Sequence, residues 1–220
     1  MQILKKNYKK KKYIKYAMLR NIEEFYLHKL GMKLKKNLHT LILDISIRHK
    51  TFFIKVTYNN LNAILFYFQL HSLASFKQIQ EITCIDNLNN SLRFNIIYTL
   101  YSIKYNTNLF IVVQNSIGHS LPSISPLYKG ANWLEREVFD LFGVFFNNHS
   151  DLRRILTDYG FKGYPLQKDF PLTGFFEIYY NDSIKKLTFE TVELTQETRI
   201  WWSDNNIQNR VYETNIKIKP

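Results

Sequence analysis

The chain has 220 residues, 45% of them hydrophobic and 16% aromatic, enough apolar side chain for one domain with a proper core plus extensions, which excludes a disordered protein. Its net charge of +12 raises nucleic acid or an anionic membrane as a partner, but residues 1–36 carry 12 basic side chains against 2 acidic, and the remainder 18 against 16. The single cysteine, Cys84, excludes an internal disulfide and any cysteine-held zinc or iron–sulfur site, and reads as a small buried hydrophobe.

Residues 1–17 read as a basic arm. Leu19, Ile22, Tyr26 and Leu30 then recur near helical spacing, predicting a helix over Met18–Leu30 that stops at Gly31. His39–Ile47 and Thr51–Thr57 alternate apolar and polar residues and predict an antiparallel pair. Leu61, Ile64, Leu65 and Phe68 trace a helical stripe with Asn60 as its cap. Three strands follow, Gln78–Ile85, Arg93–Ile103 and Leu109–Gln114, separated by turn-prone segments. No apolar run reaches the roughly 20 residues of a membrane span. Helices grouped on one face of a mostly antiparallel sheet bury these stripes economically, so residues 18–130 are expected to form an α+β domain of order helix, two strands, helix, three strands. Ser116–Gly130 is its closing loop.

Residues 131–174 concentrate the opposed charge of the chain. Ala131, Leu134, Val138 and Leu141 predict a short helix, capped by Asn132 with Glu135 completing a capping-box pair, and stopped by Gly143. Its other face carries Arg136, Glu137 and Asp140, with Arg136 and Asp140 spaced for an i, i+4 pair. From His149 onward come Asp151, Arg153, Arg154 and Asp158, and then three glycines and two prolines in the fifteen residues from Gly160 to Gly174. Such a segment does not satisfy its own backbone in a helix or interior strand, so it is expected to gain order along another surface, preferably a partner's. Residues 175–220 are read as an extended tail.

Glu135, Glu137, Asp140 and His149 invite a metal or acid–base reading, but Glu135 and Glu137 lie about 200° apart on a helix and do not converge on one ion. Salt bridging and docking fit the group better. Arg153 and Arg154 are candidates for gripping a phosphate or carboxylate, with solvated cations beside Asp151 and Asp158 as the plainer alternative. Lys168 and Asp169 read as a turn held by a local ion pair, and Trp201 and Trp202 as apolar anchors that something must cover. No phosphate-cradling loop, dinucleotide fingerprint or nucleophile elbow is present.

Glu135-Arg136-Glu137, Asp140, His149, Arg153 and Ile155-Leu156 resemble the signature of the 30 kDa subunit of proton-pumping NADH:ubiquinone oxidoreductase, respiratory complex I, called NADH dehydrogenase subunit 9 when it is encoded in the organelle. The likeness runs through GANWLEREVFDLFGVFFNNHSDLRRILTDYGFKGYPLQKDFPL, with YTLYSIKYNTN upstream and Val192–Arg199 downstream. Ser150 and Gln167 depart from it, standing where the family usually has proline and arginine.

The resemblance implies the same α+β fold and a non-catalytic subunit of the matrix arm, docked on the 49 kDa subunit. It implies no cofactor on this chain, although the complex uses FMN and iron–sulfur clusters. The interface is then expected at Glu135, Arg136, Glu137, Asp140, His149, Arg153, Arg154, Lys168, Asp169, Trp201 and Trp202. Location on the matrix side of the mitochondrial inner membrane, synthesis inside the organelle, and an uncleaved basic start also follow from it. The alternative is a basic RNA-binding component of an organellar ribosome, motivated by lysines interleaved with tyrosines in the arm. The near-neutral remainder of the chain speaks against nucleic acid.

Overall fold

The computed structural model describes Gly31 and residues 38–48 and 51–196. The basic arm, the helix expected over Met18–Leu30 and the Trp201–Trp202 pair lie outside the described residues. The chain divides into a unit ending at Leu172 and another beginning at Thr173.

The first unit is built on a five-stranded sheet. Its strands are β1 (Ile42–Arg48), β2 (Thr51–Val56), β3 (Gln78–Asp86), β4 (Phe94–Ser102) and β5 (Thr107–Asn115), in the order β1-β2-β5-β4-β3. Alternation dictates which face is buried. Phe52, Ile54 and Val56 of β2 stand beside Leu109, Ile111 and Val113 of β5, which stand beside Leu100, Tyr98 and Ile96 of β4, with Ile82 and Cys84 of β3 completing the rows. All are buried. Each fully buried side chain of this size contributes about 1.5–3 kcal/mol relative to exposure, so a one-residue slip of register, which would turn a whole row outward, is strongly disfavoured.

β1 begins three residues later than the alternation from His39 predicts. Leu41 and Ile42 both donate their N–H to the Leu38 carbonyl, at 3.0 and 3.1 Å, closing a turn there, and a bulge between Ile42 and Asp44 shifts the register. All pairs in the sheet are antiparallel except β2 with β5, which is parallel.

Helix α1 (Leu61–Leu70) follows a 3-10 turn at Tyr58–Asn60 and buries Leu61, Ile64, Leu65 and Phe68. Helix α2 (Ala131–Phe142) buries Ala131, Val138 and Phe142 in the same core. Asn60 occupies the cap position of α1 without capping it; its side-chain amide faces the Leu41 carbonyl at 3.5 Å. The expected cap of α2 is also displaced. The helix begins two residues earlier, Gly130 takes the cap position, and Asn132 donates to Ser150 Oγ at 3.0 Å. The stop at Gly143 holds, with φ of 77° and its N–H bonded to the Phe139 carbonyl. A Cβ there would come within 2.6 Å of the Tyr164 ring, so glycine answers both backbone and space.

Two elements fall in stretches read as loop and turn. Strands β6 (Leu121–Pro122) and β7 (Phe146–Asn147) pair in parallel and tie the loop before α2 to the chain after it. In the second unit, where an extended tail is expected, β8 (Phe176–Asn181) and β9 (Lys186–Thr191) form an antiparallel hairpin.

Candidate docking site

Three buried polar knots, two of them ion pairs, fasten the segment after α2, and each begins from a carboxylate at an inward position. Glu135 lies one turn from Ala131 and three residues before Val138, so it shares their core stripe and is fully buried. It therefore caps nothing. Its carboxylate accepts from Ser123 Oγ at 2.6 Å and from the Ile124 N–H at 2.7 Å, holding the loop before the helix. His149 is also buried, with Nε2 3.5 Å from Glu135 and 3.2 Å from the Asn132 carbonyl. The Asp151 N–H donates to its Nδ1, so the neutral ring carries its proton on Nε2 and presents it to those acceptors.

Burial pushes the Glu135 carboxyl above its ordinary value, with the hydrogen bonds from Ser123 and Ile124 offsetting only part of the rise. A raised folded-state value means its stability contribution is full at low pH and lost as pH rises through that value. Glu135→Gln keeps the shape and one acceptor and removes the charge, so it is expected to cost about 1 kcal/mol or less at neutral pH. Denaturant unfolding of the two proteins should show the variant gaining relative to the parent from about pH 4 to pH 7; a gap that widens against glutamine would contradict the assignment.

Asp140, also fully buried, collects five hydrogen bonds to its two oxygens. They come from the N–H groups of Ile155, Leu156 and Thr157, from Thr157 Oγ1 and from the Arg154 guanidinium at 2.9 Å. Burial raises this carboxyl, but the bonds from Thr157, Leu156 and Arg154 outweigh it and hold it well below the usual carboxylate range. Arg154 also donates to the Gly163 carbonyl and lies over the rings of Tyr164 and Phe161 at 5.0 and 5.7 Å. The i, i+4 pair expected between Arg136 and Asp140 does not form. Asp140 turns to Arg154, and Arg136 donates to the Arg153 carbonyl at 3.1 Å while covering the Trp133 ring.

The third knot was not legible locally. Arg93, just before β4, forks to Asp86 of β3 with two contacts of 2.6 Å and to Asp169 at 2.6 and 3.1 Å. The ion pair expected between Lys168 and Asp169 is thus replaced: Asp169 pairs with Arg93, and the Lys168 backbone N–H donates to Asp86 at 2.9 Å. Hydrogen bonding to Arg93 holds Asp169 low; at Asp86 burial raises the carboxyl and the bonds from Arg93 and Lys168 more than reverse it. Burial, with Asp86 adding to it, pushes the Cys84 thiol up to about 12, which keeps it an inert core group. Gln167 donates to the Phe142 carbonyl at 2.6 Å, occupying a free acceptor at the end of α2.

The inner side of residues 149–172 is therefore pinned, and the outer side is bare. Tyr159 is 98% exposed and Leu172 89%, with Leu156, Leu166 and, on α2, Trp133 also exposed. Arg153 reaches outward and pairs with exposed Asp151 at 2.9 Å. Glu137 is half-buried and lines a shallow depression with Glu81, Thr83, Leu141 and Leu166. Of the residues expected at an interface, Arg153, Glu137, Lys168 and Asp169 keep surface available. Glu135, Arg136, Asp140 and His149 work inside the chain as braces, and Arg154 is mostly inside. Four large apolar side chains on this pinned segment, with Trp133 on α2, make a surface suited to a partner. Among the described residues no group of three His, Cys, Asp or Glu is placed to hold a metal.

Comparison with known proteins matches residues 54–176 to the family described as the respiratory-chain NADH dehydrogenase 30 kDa subunit. The NADH-ubiquinone oxidoreductase subunit 9 of Acanthamoeba castellanii is 44% identical, covering 80% of this chain and 89% of that one. The protein of the same name from Reclinomonas americana is 41% identical over 79% of this chain and 85% of its own. The mitochondrial NADH dehydrogenase [ubiquinone] iron-sulfur protein 3 of Candida albicans is 38% identical over 87% and 67%. Among solved structures, a chain of the membrane-bound sulfane sulfur reductase, an archaeal respiratory membrane complex, shares the fold, with a TM-score of 0.56 at 20% identity over 66% of this chain and 85% of that one.

Proposed function

Because the chain belongs to the 30 kDa subunit family of respiratory-chain NADH dehydrogenase, we propose that it is a non-catalytic structural subunit of the matrix arm of mitochondrial complex I, docked on the 49 kDa subunit. Oxidation of NADH and reduction of ubiquinone belong to the complex. The contribution of this chain is positional: α2 and the pinned segment after it present Trp133, Leu156, Tyr159, Leu166 and Leu172 to the neighbour on a base that three buried polar knots hold. The observation that carries the reading is that the family match covers this segment and that its outer side is left apolar and uncovered.

The relative from Candida albicans has iron–sulfur in its name, yet this chain has one cysteine, and that one is buried in β3, so its donor set does not fit a cysteine-held cluster. The iron–sulfur clusters are then carried by other subunits. No described helix is long and apolar enough to cross a membrane, consistent with attachment through the complex. Location in the mitochondrion follows from the mitochondrial relatives. The ribosomal alternative has no support, since the family match spans the folded domain and the basic excess lies before it.

The test is native electrophoresis of gently solubilised source membranes, probed for this chain beside an in-gel NADH dehydrogenase stain. Co-migration with the large active band is expected; migration as a small free protein would sink the reading. Arg153→Ala is expected to reduce the amount of assembled complex severalfold at unchanged turnover per complex, as for a contact residue worth about 1–2 kcal/mol. Normal assembly with slowed turnover would place the segment in the reaction instead.

A further inference from the structure

The β8–β9 hairpin has two unlike faces. Cross-strand partners in an antiparallel pair share a face, so Phe176 with Thr191, Ile178 with Phe189 and Tyr180 with Leu187 lie on one side. Glu177 with Glu190, Tyr179 with Thr188 and Asn181 with Lys186 lie on the other. The first face holds five large apolar side chains and no charge, and those five are between 43% and 67% exposed. A two-stranded ribbon is marginal in water without something against its apolar side.

We propose that this face is a second docking element, seated on an apolar surface of a neighbouring subunit of the respiratory complex; the inference rests on the subunit reading above. The charge on the hairpin argues for a protein rather than a lipid surface. Residues 175–196 carry four carboxylates, Glu177, Asp182, Glu190 and Glu193, against Lys185 and Lys186, and an anionic leaflet repels that balance. The area argues against a second copy of this chain. Five half-exposed side chains of this size offer roughly 500 Å² per partner, short of the ~800 Å² per side of a standard stable interface. The face suits one part of a larger contact better. Exposed Leu166 and Leu172 immediately precede it in the chain, so the apolar outer side of the first unit and the hairpin face follow one another in sequence.

The test is thiol labelling of the full chain, free and in the assembled complex. Cys84 is buried and supplies little background. Leu187→Cys reports the apolar face and neighbouring Lys186→Cys the polar one. In the purified chain both should react with a maleimide at similar rates; in the complex the Leu187→Cys thiol should react about tenfold more slowly or less, with Lys186→Cys little changed. As a second measurement, Phe189→Asp should lower incorporation into the complex about tenfold where Lys186→Asp, at an exposed position of the polar face, does not, because a carboxylate is costly against an apolar surface.

Equal labelling of the two thiols in the complex overturns the inference. So does protection of Leu187→Cys in the free monomeric chain, which would mean its own chain covers the face, or in a free dimer seen by light scattering, which would assign it to a second copy. Absence of the unaltered chain from the NADH-active band fails the subunit reading itself and is recognised before any variant is made.

Discussion

Asp140→Ala should lower the free energy of unfolding by about 3–5 kcal/mol, because the change strands the Arg154 guanidinium and three backbone N–H groups that now share one carboxylate. Asp140→Asn should cost nearly as much. Its amide accepts on one side only, so with its oxygen kept for the N–H groups of Ile155, Leu156 and Thr157 its NH2 is turned toward the Arg154 guanidinium. Release of residues 153–158 should precede global unfolding, so trypsin should cut after Arg153 and Arg154 in both variants before the sheet is lost. Denaturant midpoints read the first effect and the timing of those cuts the second; resistance equal to the parent would mean the knot does not secure the segment. Because the folded-state value of Asp140 is depressed, the stabilisation is present above the ordinary carboxylate range and fades as pH falls through that lower value.

Arg93→Met should also cost about 3–5 kcal/mol at neutral pH, and its pH dependence should run the same way. The change keeps most of the aliphatic bulk and leaves Asp86 buried with only the Lys168 N–H for company. In the parent, Asp86 and Asp169 are both held low, so their contribution is full above the ordinary carboxylate range and declines in acid. In the variant the unpaired Asp86 is driven to protonate, so the gap between the two proteins should narrow from about pH 7 to pH 4. Unfolding curves across that range decide it. A constant gap would mean the loss comes from packing around Phe94, which Arg93 covers at 5.3 Å, rather than from charge.

What could be read in advance followed periodicity. Phe52, Ile54 and Val56, or Leu109, Ile111 and Val113, announce their strand because one face is buried, and the stripe Leu61, Ile64, Leu65, Phe68 announces its helix for the same reason. Gly143 ended its helix as its type implies. Pairing across long separations leaves no such trace: Arg93 and Asp169 stand 76 positions apart. The residue type of Glu135 points to a helix cap, whereas its offsets from Ala131 and Val138 put it on the core stripe, where it is buried. Strands β6 and β7 are two residues each, too short to show a period. The hairpin did alternate, but Tyr179 on the polar side blurred the contrast that Phe176, Ile178 and Tyr180 make on the other.

The parallel pairing of β2 with β5 sets an order in time. β1 and β2 emerge together from the ribosome, but β2 finds its other neighbour only when Leu109 is available opposite Phe52, 57 positions later. The β3-β4-β5 meander joins close neighbours and can form early, whereas the loop that brings β2 to it must close over α1 and two strands. Until then β2 presents an open edge with Phe52, Ile54 and Val56 uncovered, the kind of strand that pairs with the wrong chain. A nascent chain released before Asn115 therefore lacks the strand that completes its sheet, and the seating of β2 on β5 is expected to be the slow step of folding.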